Sequence, residues 1–398
     1  MILASFVNRV GNGLFNTASA LYFTLVVDLP AVQVGAALTV GGLIGLLAGI
    51  PGGHLADRRG SRTIMMLALT VQAVAMTALV FVESWSALTV IATVDRLAAA
   101  AGGAAWGALV VRVGTDRPAL FRAKLRTYVN LGVVLGTAGA GFAVTANTRT
   151  AYSVLIFGNA ASFALCALLL FLLPNYRALA PPSQQRRWIA LTDRPFVSFT
   201  ALYGAMGLQY TAVSLLLPIW ISEHTNAPRW TVAAVSAINA GVCVLLQTRI
   251  GSRIETPRDG GKAFRTAGLL FLLSCPMMAL TAYAPVWAAV GLVVAAIFVH
   301  SLEEIWESSA GFGLAPDHAQ GQYQGLLGLG FSAGQALAPA ILTTVVLGLG
   351  TAGWLFLGAF FAAVGAVGPS LERWGTRTRS RQGAAAAGPR GEPDEAHA

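Results

Sequence analysis

The sequence predicts an all-α membrane protein, and three observations lead to this fold class. First, 56% of the 398 residues are hydrophobic and only 11% are charged, whereas a soluble domain averages about 25% charged residues. Second, the apolar residues form long runs of about 20, the length that a helix needs to cross the bilayer. Third, the connections between these runs are short and contain Pro, Gly or charged residues, which break helices.

About twelve stretches are long enough to be spanning helices. In chain order they are 2–27, 32–52, 63–82, 86–111, 125–147, 151–173, 196–221, 230–249, 264–284, 286–312, 323–348 and 351–369. The longest connection, 174–195, divides them six and six, so we expect two pseudo-symmetric six-helix halves, 1–173 and 196–370, with a cytoplasmic linker between them. The tail 371–398 is rich in Arg, Gly, Ala and Pro, and we expect it to be disordered and cytoplasmic.

The net charge of +9 does not indicate a nucleic-acid-binding protein, because the basic residues are not gathered on one domain. They cluster after spans two, four, six and eight and in the tail, whereas the opposite loops contain only Arg149 and Arg229. By the positive-inside rule both termini face the cytoplasm. We therefore expect a multi-pass protein of the plasma membrane, surrounded by lipid and functional as a monomer.

The two predicted halves resemble each other at one constant offset. The segments 128–143, "YVNLGVVLGTAGAGFA", and 323–338, "YQGLLGLGFSAGQALA", share a tyrosine at their first position and Leu, Ala, Gly and Ala further along. Duplicated halves are common in secondary transporters. The repeat therefore favours a transporter over other membrane proteins.

The segment 52–62, "GGHLADRRGSR", places charged residues between two long apolar runs. It resembles the motif G-x-L-x-D-x-x-G-x-[RK] between the second and third helices of the major facilitator superfamily. The residues of this segment that we assign to the motif are Gly53, Leu55, Asp57, Arg58, Gly60 and Arg62. The resemblance covers roughly residues 1–370 and implies that the motif is a conformational latch between the two halves, with Asp57 able to approach a helix N-terminus. The alternative is a merely positive cytoplasmic turn.

Span five contains a second motif, "NLGVVLGTAGAG" at 130–141. It resembles the glycine motif G-x-x-x-G-P-x-x-G-G of twelve-helix drug:proton antiporters, with Gly132, Gly136 and Gly139 in matching places and Thr137 in place of the proline. This resemblance implies export. The alternative is close helix packing through small residues.

Charged residues inside spans are costly and usually mark a pathway or a partner. Asp95 and Arg96 of span four point about 100° apart on a helix and cannot simply neutralise each other. At least one of them needs another partner, and Arg9 of span one could form an ion pair with Asp95. Arg96 also resembles the buried arginine of span four in proton-coupled members of the family.

Span ten contains four titratable residues, His300, Glu303, Glu304 and Glu307, which we expect along one face of the helix. Burial and a neighbouring carboxylate both disfavour the charged form, so one acid can bind a proton on one side of the membrane and release it on the other. The proton-coupling candidates are Glu303, which is favoured because it lies nearer mid-depth, Glu304, Asp95 and Arg96. The alternative is an ion pair with Arg9 or Arg96 that only holds helices together.

Polar and aromatic residues in other spans are candidates for a substrate cavity. Asn8, Asn12 and Asn16 recur every four residues and therefore share one face of span one. The cavity candidates are Asn12, Asn16, Asn130, Tyr203, Gln209, Tyr210 and Trp306. Bonds between helices and core packing are the alternative roles.

Together these patterns favour a proton-coupled secondary transporter that exports small amphipathic or drug-like molecules by alternating access. The alternatives are a proton-coupled uptake symporter of the same fold and a transporter-like membrane sensor. The sequence contains no nucleotide-binding loop and no H-E-x-x-H arrangement. We therefore expect no enzymatic activity, no metal and no cofactor, and the expected partners are a small-molecule substrate and protons.

Overall fold

The computed structural model describes residues 1–113, 118–146, 148–174, 188–228, 230–310 and 315–386. These residues fold into helices and their connections, with no strand among them. The α-helices in chain order are α1 Ile2–Leu21, α2 Ala31–Leu46, α3 Gly49–Arg59, α4 Ser61–Leu79, α5 Trp85–Val113, α6 Pro118–Ala146, α7 Arg149–Phe171, α8 Ile189–Thr192, α9 Arg194–Thr211, α10 Leu217–His224, α11 Trp230–Gly251, α12 Pro257–Leu280, α13 Val286–Ser309, α14 Gln320–Leu342 and α15 Thr351–Ala386.

Within the described residues, eight helical segments are long and apolar enough to cross a membrane. A ninth is obtained if α2 and α3 form one span, which bends by 47° at the break between them. Other predicted spans are interrupted by π-helical segments, Tyr22–Val26 after α1 and Ala212–Leu216 between α9 and α10. Pro218 follows the second of these segments, and proline lacks the N–H that a regular helix needs.

The outer surface of the bundle is apolar. Phe81, Leu172 and Trp287 are each at least three-quarters exposed, at 75%, 78% and 77%. Side chains of this size are unfavourable in water, but they match the hydrocarbon region of a bilayer. The prediction of an all-helical, multi-pass membrane protein is confirmed at this level.

The buried apolar residues form two separate clusters. One cluster is drawn from residues 4–170 and includes Tyr22 and Phe163, and we call it the N-terminal core. The other is drawn from residues 190–371 and includes Trp220 and Phe264, and we call it the C-terminal core. Helices α1–α7 therefore surround the first core, and α8–α15 surround the second.

The last helix is longer than the sequence predicts. In place of disorder from 371, α15 continues to Ala386. Arg379 holds this extension against the C-terminal core, because its Nη2 lies 2.7 Å from Asp193 Oδ2 and its guanidinium lies over the Tyr323 ring. The composition was misleading because Arg and Ala are also good helix formers. The rest of the tail, 387–398, lies outside the described residues.

The predicted linker 174–195 is described only at its ends. Residues 175–187 lie outside the described part of the chain, and 189–192 form the short helix α8. Asp193 then caps α9, since its Oδ1 accepts a hydrogen bond from the Phe196 N–H at 3.3 Å. A side-chain oxygen at this position satisfies a donor that the first helical turn leaves free.

Candidate functional site

Asp57 at the end of α3 joins the two cores. Its carboxylate is buried and accepts two backbone hydrogen bonds from the first turn of α14, from Gly321 N–H at 2.7 Å and from Gln322 N–H at 3.0 Å. The first N–H groups of a helix have no partner within the helix and carry partial positive charge. The Asp57 carboxylate is therefore matched to this helix N-terminus in both geometry and charge.

Close backbone approach makes this contact possible. A Cβ atom on Gly53 would collide with the carbonyl oxygen of Gly321, so a larger residue would push α3 away from α14. One residue further, His54 Nδ1 lies 3.0 Å from Gln322 Nε2. The short distance between α3 and α14 therefore requires a glycine at position 53.

The other residues of the predicted latch motif act within the N-terminal core. Leu55 packs against that core, and Gly60 has a positive φ of 96°, which allows the reversal between α3 and α4. Arg62 donates to the Phe171 carbonyl at 2.8 Å, whereas Arg58 is exposed. Gly53 and Asp57 are therefore the motif residues that reach the opposite core.

An ion pair between a half-buried arginine and a buried glutamate forms a second connection between the cores. Arg126 of α6 donates through Nη2 to Glu304 Oε1 of α13 at 2.9 Å. The other carboxylate oxygen of Glu304 accepts from Asn239 Nδ2 at 3.3 Å. Next to the pair, the hydroxyl groups of Thr127 and Thr248 lie 3.2 Å apart. Charged and polar groups therefore meet directly where α6 packs against α11 and α13.

Glu307 extends this arrangement by one helical turn. Its Oε2 accepts a hydrogen bond from the Tyr210 hydroxyl at 2.7 Å, and its Oε1 has no hydrogen-bond partner among the described residues. The Tyr210 ring centroid lies 5.7 Å from the Arg126 guanidinium carbon. We call Arg126, Glu304, Glu307 and Tyr210 the Arg126 network. The network contains one cation and two buried acids. If one acid binds a proton, the other acid still pairs with the cation, so no uncompensated charge remains in the network.

The acids of α13 do not form the single ladder that the sequence predicts. Glu303 faces α12, where it accepts from the Ser274 hydroxyl and lies 2.8 Å from His300 Nδ1. Glu304 and Glu307 instead face α6 and α9. The expectation of one continuous ladder was wrong because the adjacent residues Glu303 and Glu304 point about 100° apart and therefore contact different neighbouring helices, which separates the pair His300 and Glu303 from the pair Glu304 and Glu307.

A cavity of about 260 Å³ lies in the N-terminal core. Its polar lining consists of Ser5, Asn8, Arg9, Asn12, Gln72, Asp95, Arg96 and Asn159, and aromatic and aliphatic side chains complete the wall. Within this lining the Asn12 amide donates to Asn8 at 3.2 Å, which brings together two of the predicted asparagines. The side chain of Asn16, the third of these asparagines, lies outside the described part of the structure.

Asp95 is held by two neighbours in this cavity. Its Oδ1 accepts from Gln72 Nε2 at 3.3 Å, and its Oδ2 lies 3.9 Å from Arg96 Nε. The distance to Arg96 is at the outer limit of an ion pair, as expected for residues that point in different directions. Arg9 lines the same cavity but forms no ion pair with Asp95.

The remaining cavity candidates are dispersed. Gln209 is fully buried, and its amide atoms have no hydrogen-bond partner among the described residues. Tyr203 packs between Phe199 and Phe331. Asn130 and Trp306 are half-buried and do not line the cavity of the N-terminal core. Of the predicted set, the structure places Asn12 in this cavity and Tyr210 in the Arg126 network.

The glycine motif of α6 lies against α1, within the N-terminal core. A Cβ atom on Gly132 would lie 2.8 Å from the Phe6 carbonyl oxygen, and one on Gly139 would lie 3.0 Å from Leu14 Cδ2. Gly136 faces Gly13 in the same contact. The observed geometry is close packing of small residues, and it holds α1 against α6.

Sequence reasoning did not include Arg126 among the candidate site residues, since it is only the second residue of the predicted span 125–147. The helix begins at Pro118, about two turns before the predicted span, so Arg126 lies well inside α6. The i, i+4 spacing of Arg122, Arg126 and Asn130 was the available signal. Among the described residues, no group of three or more His, Cys, Asp and Glu side chains could hold a metal ion.

Two helical cores with an apolar outer surface, one of which contains a polar cavity, are typical of a membrane transport protein. The chain belongs to the Major Facilitator Superfamily, whose family profile matches residues 1–339. A search of curated proteins found no match.

Solved structures of transporters have a similar fold. A bacterial homologue of the iron transporter ferroportin in its outward-facing state gives a TM-score of 0.73 at 13% identity, with 94% of this chain and 98% of that chain covered. The transporter FucP in its outward conformation gives 0.72 at 14% identity, covering 94% and 97%. The proton:xylose symporter XylE gives 0.69 at 10% identity, covering 92% and 94%. At these identities the similarity shows the fold alone.

Proposed function

We propose that this protein is a proton-coupled secondary transporter that exports small amphipathic molecules by alternating access. The observation that carries the proposal is the Arg126 network, which places two buried acids and one cation at a contact between the cores. Protonation of Glu304 would remove its charge attraction to Arg126 and weaken that contact. Proton binding is thereby linked to separation of the two cores.

The proposed architecture has twelve spanning helices in two six-helix halves, 1–173 and 196–370, joined by the linker 174–195. Both termini lie in the cytoplasm, and the protein acts as a monomer in the plasma membrane. Asp57 and the Arg126 network then close the cytoplasmic end, and rocking of the halves moves access from one side to the other. The latch motif stabilises one end state of this cycle.

The proposed substrate class follows from the lining of the cavity. Amide and charged side chains such as Asn8 and Asp95 lie near aromatic ones such as Phe15, Trp106 and Phe163. Sites of this composition orient a ligand through a few polar groups and bind the rest of it through apolar contact. A molecule with one polar and one apolar part fits both surfaces.

A proton-coupled uptake symporter is the second candidate. The extensive polar lining of the cavity favours it, because nutrients are more polar than most exported compounds. Similar folds also include a proton:xylose symporter. In this candidate the same residues operate, and only the direction of substrate flux relative to the proton is reversed.

For the proton carrier we place Glu304 first and Glu307 second, ahead of Glu303 and Asp95. Glu303 is enclosed on one side of α13, where Ser274 and His300 already satisfy its carboxylate. Glu304, in contrast, takes part in a contact that must break when the cores separate. A proton carried at this position is therefore coupled to the conformational change.

The test is transport by the full-length protein in an efflux-deficient host. We expect reduced accumulation of amphipathic compounds and loss of this effect with an uncoupler.

Glu304→Gln should abolish uphill transport while downhill exchange persists, and Glu223→Gln, at an exposed position, serves as the matched control. Uphill, uncoupler-sensitive transport in the Glu304→Gln/Glu307→Gln double variant would contradict the assignment. A comparison of substrate transport in inverted and in right-side-out vesicles would distinguish export from uptake.

A further inference from the structure

The cavity of the N-terminal core contains a guanidinium group that no acid of the protein neutralises. Arg9 of α1 lines this cavity, and in the described part of the chain no carboxylate lies within ion-pair distance of it. Arg126 is a charged neighbour of Arg9, and it is also cationic. The Arg9 side chain is exposed on the wall of this cavity, so its guanidinium is accessible to a ligand, and charged groups within membrane spans usually line such cavities.

The acid that lines the cavity is not available to Arg9. Asp95 is bound by Gln72 and lies near Arg96. The charged lining therefore comprises two cations, Arg9 and Arg96, and one anion, Asp95. The cavity has a surplus of one positive charge.

The asparagines that line the same cavity have amide N–H groups available to donate hydrogen bonds. The Asn8 side-chain oxygen accepts from Asn12, and the Asn159 side-chain oxygen accepts from Ser162 at 3.3 Å. With these oxygens engaged, the amide N–H groups of Asn8 and Asn159 remain to donate to an acceptor. The apolar side of the same cavity includes Phe15 and Trp106.

We propose that this cavity binds a small amphipathic molecule that carries a carboxylate, with Arg9 as the residue that binds the anionic group. A planar guanidinium binds a carboxylate through two parallel hydrogen bonds, and a bound anion removes the surplus charge. A cationic ligand would instead increase the repulsion among Arg9, Arg96 and Arg126. The volume of about 260 Å³ lies near the lower end of the range for ligand pockets, so the molecule is small. The transport of this molecule rests on the proposed function, whereas its binding does not.

The experiment compares three probes that share one ring and differ in charge, namely benzoate, benzyl alcohol and benzylamine. Thermal unfolding of the purified full-length protein in detergent is measured against the concentration of each probe, since a ligand of the folded state raises Tm in a saturable way. We expect stabilisation by benzoate and none by the other two. Stronger binding of benzylamine than of benzoate, or no binding of benzoate to the wild type, would overturn the proposal.

Variants then test the role of Arg9. Arg9→Gln should weaken benzoate binding about tenfold or more, and Arg9→Lys should retain part of the affinity. Arg377→Gln, an exposed arginine of α15, is the matched control, and size-exclusion profiles without probe verify folding. Unchanged benzoate affinity in Arg9→Gln would contradict the assignment; if that variant does not fold, Arg9→Lys must bind more weakly than the wild type. Because no proton gradient is present, a failure of proton coupling would leave the order of probe affinities unaffected.

Discussion

At the scale of single residues, Asp57 shows how one side chain can connect two cores. Its two oxygens accept from two consecutive N–H groups of α14, at 2.7 and 3.0 Å. A hydrogen bond to a charged group contributes about 1.5–3 kcal/mol. This contribution belongs to the contact between the cores, because the packing within each core does not involve Asp57.

We predict that Asp57→Asn reduces transport about tenfold or more while expression and the size-exclusion profile stay near those of the wild type. An asparagine has one acceptor oxygen, and its NH₂ group would face the second N–H of α14. The measurement is substrate efflux in vesicles, with the exposed Glu255→Gln as control. Normal transport by Asp57→Asn would reduce the motif to a charged turn.

At the scale of helices, the glycine motif determines how closely α1 and α6 approach. Gly132, Gly136 and Gly139 all face α1, and Gly136 meets Gly13. In a membrane, such contact between small residues drives helix association, because lipid offers no hydrophobic penalty for separated helices. The same contact holds Arg9 of α1 in the N-terminal core.

We predict that Gly136→Ala lowers Tm, whereas Gly141→Ala leaves it unchanged or raises it slightly. A Cβ atom at Gly136 collides with the Val10 backbone, but one at Gly141 has open space around it. In a helix, alanine is favoured over glycine by about 1 kcal/mol, so the two variants should shift stability in opposite directions. Equal Tm values would show that α1 and α6 adjust to the added methyl group without cost.

At the scale of the whole molecule, the two cores meet through the ends of their helices. Asp57 ends α3, the bonded N–H groups begin α14, and Thr248 lies at the end of α11. These contacts therefore lie together at one end of the bundle. In the proposed cycle they must separate before access can change sides.

We predict that a cross-link between the cores stops transport. The backbones of α3 and α14 approach closely at Gly53 and Gly321, next to the contacting residues His54 and Gln322. His54→Cys/Gln322→Cys should therefore form a disulfide under mild oxidation and lose transport until it is reduced. The native cysteines Cys166, Cys243 and Cys275 are buried and should not interfere. Each single variant is a control, and full transport by the oxidised double variant would contradict alternating access at this contact.

Local patterns explain why so much of the fold was predictable. Within the described residues, helices occupy most of each apolar stretch identified in the sequence, because their length, spacing and breakers act within a few neighbouring residues. The same patterns gave less information on the end of α15. There the ion pair of Arg379 with Asp193 joins residues far apart in the chain, and no local composition reveals it.

The sequence by itself determined the helical membrane class, the charged segment 52–62 and the residues that carry charge in the spans. Only the tertiary structure decided how those charges are paired. Glu304 faces Arg126 of the other core, whereas its neighbour Glu303 is enclosed with His300. The physical reason is that helical periodicity fixes the angle between residues on one helix, but packing of helices distant in sequence determines what each face contacts. Arg9, for example, lines a cavity together with several amides and forms no ion pair with an acid among the described residues.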